Sequence, residues 1–131
     1  MARISAVLLA VTIIFGAVEM AMAVDKDLRT CALSRAIECI ADEGCLERTI
    51  HKMNLPRFVQ IDLKSKTITS LDKEVARNTK ISAVEYAGGL LVLHGTELRG
   101  WSIAIGEDGD LSLTASGESE AFVVFGSCMN P

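Results

Sequence analysis

From Phe58 onward, apolar and polar residues alternate with period two, which turns successive side chains to opposite faces of an extended chain. In FVQIDL, Val59, Ile61 and Leu63 share one face and Gln60 and Asp62 the other, and LKSK then turns the chain into TITSL. Pro56 stands just ahead of this strand, where its missing N–H costs no ladder bond. DKEVARNTK (72–80) is charged and reads as an exposed connection with room for one helical turn. ISAVEYAGGLLVLHG carries a two-residue Gly88-Gly89 hairpin signal. Pairing Ala87 with Leu90 sets Val84 opposite Leu93 and Tyr86 opposite Leu91 on one face. Ala83, Glu85, Val92 and His94 then lie on the other.

WSIAIGEDGDLSLTAS repeats the design, with Trp101, Ile103 and Ile105 in phase, followed by Leu111, Leu113 and Ala115. A two-residue Asp108-Gly109 turn would set Ile105 against Ser112 and mix the faces. The loop is therefore expected to be odd in length, with three residues (Asp108 to Asp110) or five. AFVVFGSC is apolar on both faces and reads as a central or barrel-closing strand. The whole predicts an all-β chain, a small antiparallel barrel or sandwich of about eight short strands, up-and-down in much of its order. The segment VDKDLRTCALSR (24–35) is also compatible with a short N-terminal helix.

The first residues follow a different pattern. Arg3 is followed by an apolar run from Ile4 to Val18, and Ala21-Met22-Ala23 fits a small-x-small cleavage site, so 1–23 reads as a cleaved signal peptide. The run is shorter than the roughly 20 residues that span a bilayer, and Glu19 closes it. The mature chain, 24–131, is then a single small domain, periplasmic or secreted, with no later membrane span. The mean hydropathy of +0.34 is raised by the signal.

All four cysteines, Cys31, Cys39, Cys45 and Cys128, fall in the exported part, which reads as two disulfides with three possible connectivities. On a continuous helix Cys31 and Cys39 would stand about 12 Å apart along the axis, and Cys39 and Cys45 about 9 Å. A disulfide needs Cα atoms within about 7 Å, so a straight helix forbids both local bridges. A hairpin running Ala36–Cys39, looping through 40–44 and returning from Cys45 to Arg48 sets Cys39 opposite Cys45. Cys31 then remains for Cys128, which would tie down the apolar end of the chain. Cys39–Cys45 with Cys31–Cys128 is thus favoured, with pairings of Cys128 to Cys39 or Cys45 as the rivals. A zinc site would need closely spaced Cys/His pairs, whereas His51 and His94 are isolated, and no C-x-x-C redox spacing occurs.

Removing Arg3 and Glu19 with the signal leaves the net charge at −4. With no basic cluster and few aromatic residues, nucleic-acid binding is disfavoured.

LPRFVQIDLKSKTI, GTELRGWSIAI, GDLSLTASG and FVVFGSC together resemble a group of small, exported, uncharacterised proteins from alphaproteobacteria. The shared features are an early cysteine pair, a Pro-x-Phe-x-x-Ile-Asp strand, a Gly-Trp-Ser strand and a final Phe-Gly-x-Cys, over roughly residues 31–128. The resemblance implies a periplasmic β-protein and supports the disulfide reading, and it carries no activity.

HGTELRGWS (94–102) is the leading candidate surface, gathering His94, Glu97, Arg99 and Trp101 around a glycine-flanked loop at a strand end. The competing reading makes Trp101 core, Arg99 solvated and His94 an ordinary strand residue. No Ser or Cys nucleophile pairs with His94, so evidence for acid–base catalysis is thin. Asp108 and Asp110 around Gly109 suit a plain turn better than a calcium loop. No cofactor or metal is expected. The favoured reading is a non-catalytic binding module for a periplasmic protein or small ligand, inhibitor-like in architecture. The alternatives are a structural or envelope-maintenance protein and, more remotely, a small hydrolase using His94, Glu97 and Arg99.

Overall fold

The described residues form ten strands: β1 (Leu28–Ile40), β2 (Gly44–Arg48), β3 (Phe58–Asp62), β4 (Thr67–Ser70), β5 (Asn78–Lys80), β6 (Ala83–Ala87), β7 (Leu90–Gly95), β8 (Gly100–Ile105), β9 (Asp110–Ser116) and β10 (Glu120–Cys128). The structure is a computed structural model describing residues 25–129; the predicted signal peptide lies outside them. Every pairing is antiparallel, in the order β5-β4-β3-β1-β10-β9-β8-β7-β6, and the sheet curls into a half-barrel. β1 is long enough for two partners on one side, β3 against its first half and β2 against its second.

Three expectations are corrected. The opening segment contains no helix, since Leu28 already begins β1. The 72–80 stretch has no helical turn and ends in a strand, β5. The strand count is ten rather than about eight. Among the described residues no helix is long and apolar enough to cross a membrane.

The two edge strands are neighbours in sequence. Eight antiparallel steps separate β5 from β6 across the sheet, so both run in the same sense, linked by only Ile81 and Ser82. Ile81 N donates to Lys66 O at 2.9 Å and Ser82 N to His94 O at 2.7 Å, so the link is bonded to both edges. Ile81, 1% exposed, is the apolar anchor of this corner.

Turn chemistry sets the registers. Gly88 and Gly89 (φ 57° and 81°) make the two-residue turn that pairs Ala87 with Leu90. Ile105 pairs with Leu111, so five residues separate them, and Gly109 (φ 89°) closes the turn by donating to Gly106 O. Asp62 Oδ1 accepts from the amides of Ser65 and Lys64. Those bonds, the Ser65 amide foremost, hold its carboxyl below the usual carboxylate range.

Inward residues make the core: Cys31, Leu33 and Ala36 from β1, Ile61 from β3, Leu91 and Leu93 from β7, Ile103 and Ile105 from β8, Val124 from β10. Burying each large aliphatic side chain contributes about 1.5 to 3 kcal/mol. Both disulfides lie across β1: Cys31–Cys128 to β10 and Cys39–Cys45 to β2, each joining directly opposed residues. They point to an oxidising, non-cytoplasmic compartment.

Candidate functional site

Because hairpins alternate between the two ends of an antiparallel sheet, the connections 71–77, 96–99 and 117–119 share one end. The segment 49–57, inserted between β2 and β3, folds over that end. Thr49 Oγ1 accepts from Lys52 N, and a single hydrogen-bonded turn follows. It closes through Leu55 N to Ile50 O and Asn54 N to His51 O, with Asn54 left-handed at φ 52°. That pattern is a Schellman closure, and it turns Leu55 back towards the apolar Ile50, itself 7% exposed. Met53, Leu55 and Pro56 thereby face inward while His51, Lys52 and Asn54 stay in water.

Beneath this cap lies a recess of about 200 Å³ inside the half-barrel. Leu33, Val59, Ile68, Ile103, Leu111, Leu113 and Val124 wall it from the strands. Glu97, Leu98, Arg99 and Arg77 line it from the loop end. The space exists partly because Ala115 is small, and partly because Trp101 lies flat against its cross-strand partner Gly95. A Cβ on Gly95 would fall 2.0 Å from Trp101 Cζ2, so the ring rests where a side chain would be. Trp101 Nε1 is buried and has no hydrogen-bond partner among the described residues. Gly95→Ala should therefore push the indole off the wall, shift the emission of the single tryptophan to longer wavelength and cost about 1 to 3 kcal/mol. An unchanged spectrum would contradict this packing.

The rim is charged. Arg99 forms an ion pair with Glu120, and its guanidinium sits 4.5 Å from the Phe122 ring centroid, a cation–π geometry that holds it over the wall. Arg77 makes no ion pair or side-chain hydrogen bond among the described residues. Between these arginines the chain bends sharply. Leu98 has φ 63°, Arg99 N donates to Glu97 O at 2.7 Å, and the Leu98 side chain is 80% exposed. A γ-turn with positive φ at a branched residue is strained, and such strain collects at functional loops.

Of the four residues singled out from sequence, Glu97, Arg99 and Trp101 meet at this recess. His94 does not. It points to the outer face, with Nε2 3.5 Å from a Glu85 carboxylate oxygen. The structure therefore does not bring His94 together with Glu97 and Arg99. Arg77, Phe122 and the 53–56 cap were missed. The Thr49 cap and left-handed Asn54 were readable signals for the last of these, whereas Arg77 sits in a stretch without periodicity. No group of three or more His, Cys, Asp or Glu among the described residues is arranged to hold a metal ion. No family model, curated protein or solved structure matches the chain.

Proposed function

We propose that the protein is a non-catalytic binding module of the periplasm or extracellular space that holds a small apolar ligand inside its half-barrel. The observation that carries this is the capped recess with mostly aliphatic and aromatic walls and its charged groups at the rim, the usual make-up of a small-molecule site. At about 200 Å³ it exceeds the ~150 Å³ cavity that suffices for benzene in an engineered protein core. The predicted signal peptide, the two disulfides and the resemblance to exported proteins support the location.

Trp101 on the wall provides the readout. Titration with straight-chain alcohols from hexanol to decanol should change its emission saturably. Ala115→Phe, which fills the recess from β9, should abolish the response while leaving the far-ultraviolet circular dichroism unchanged. A wild-type protein without a saturable response would sink the reading.

A further inference from the structure

We infer that the ligand is a single-chain amphiphile with an anionic head, its alkyl chain in the recess and its head on Arg77. This rests on the recess being the ligand site. The wall is apolar from Leu33 to Val124, and the recess volume of about 200 Å³ suits one alkyl chain better than a compact polar molecule. Two cations line it. Arg99 is already neutralised by Glu120 and stacked on Phe122. Arg77 alone carries a guanidinium with no ionic partner among the described residues, and it lines the recess from the rim of the apolar wall. Glu97, the one acidic residue in the lining, is exposed and forms no ion pair with Arg77, so solvent screens its charge. Leu98, apolar and 80% exposed, provides an apolar lip at the same rim. A guanidinium offers two parallel N–H donors to a carboxylate or phosphate, and a charge-assisted pair of that kind distinguishes an anionic head from a hydroxyl of the same chain length.

The test compares octanoate, octyl phosphate and 1-octanol by Trp101 emission in the purified protein. At least one anion should bind about tenfold more tightly than octanol, and the tighter of the two identifies the head as carboxylate or phosphate. Arg77→Gln should remove that tenfold advantage and leave octanol affinity unchanged, and Arg77→Lys should restore part of it. Equal affinity for all three compounds, or an advantage that survives Arg77→Gln, overturns the anionic head while the apolar site stands. No response to any of the three overturns the apolar site as well.

Discussion

A Cys31→Ala/Cys128→Ala protein should melt on the order of 20 °C below the wild type, a larger loss than any other pair of side chains in the molecule should produce. The two residues are 97 apart in sequence and directly opposed in β1 and β10. Opening a loop of that size returns roughly 4 to 5 kcal/mol of chain entropy to the unfolded state. That approaches the whole stability of many domains of this length. The bridge also sits where both chain ends are held, since Met129 N donates to Thr30 O and Cys128 N to Gly109 O. Without it those bonds open locally at little cost, and the apolar β10 is exposed from its end. The Cys39–Cys45 bridge spans only six positions, so Cys39→Ala/Cys45→Ala should cost about 2 kcal/mol by the same reasoning. Calorimetry on both variants, with limited proteolysis to map the first cut, checks the order. Equal losses would show that loop length does not set the stabilisation here.

The two bridges were legible because strand geometry leaves few ways to place four cysteines, and the same geometry made the β6–β7 register legible from Gly88-Gly89. Less was readable where the pattern has no amplitude. Asn78-Thr79-Lys80 alternates nothing apolar, yet it forms β5 because Ile81 buries next to it and β4 offers a free ladder. The recess was not legible at all. Period two says that Leu33, Val59, Ile103 and Val124 point inward, but whether they meet across the middle depends on how far the sheet curls and what covers its end. The cap at 49–57 decides that, and its signals are a Thr and an Asn rather than a hydrophobic stripe. Within HGTELRGWS, alternation had already placed His94 on the face of Glu85 and Trp101 on that of Ile103. The nine residues therefore divide between two faces of the sheet. The partners of Arg99 lie on β10, Glu120 and Phe122, too distant in sequence for local spacing to suggest.

Gly126→Ala should cost roughly 3 kcal/mol, the second-largest effect expected, for a reason unrelated to backbone freedom. Gly126 has no positive φ. What it lacks is space, because a Cβ there would lie 2.2 Å from Ala32 O and 3.2 Å from Leu33 Cα. The approach is this close because the β1 ladder shifts register between Leu33 and Arg35, leaving Ser34 unpaired, with its hydroxyl donating to Phe125 O at 3.1 Å. Such a bulge bends and twists β1 onto its neighbour. The colliding atoms are main chain, so no side-chain rotation relieves them, and β1 must separate from β10 next to the Cys31–Cys128 bridge that pins the two together. Gly100→Ala is the matched control: it has nothing within 4 Å and no positive φ, so it should change stability by less than about 0.5 kcal/mol. Because the bridge prevents the strands from moving apart, Gly126→Ala should cost less in the Cys31→Ala/Cys128→Ala background than in the wild type. A double-mutant cycle by chemical denaturation measures that coupling. Strict additivity would mean that the collision is relieved elsewhere, by β1 bending further at Ser34, and that the bridge does not hold the strands together at that point.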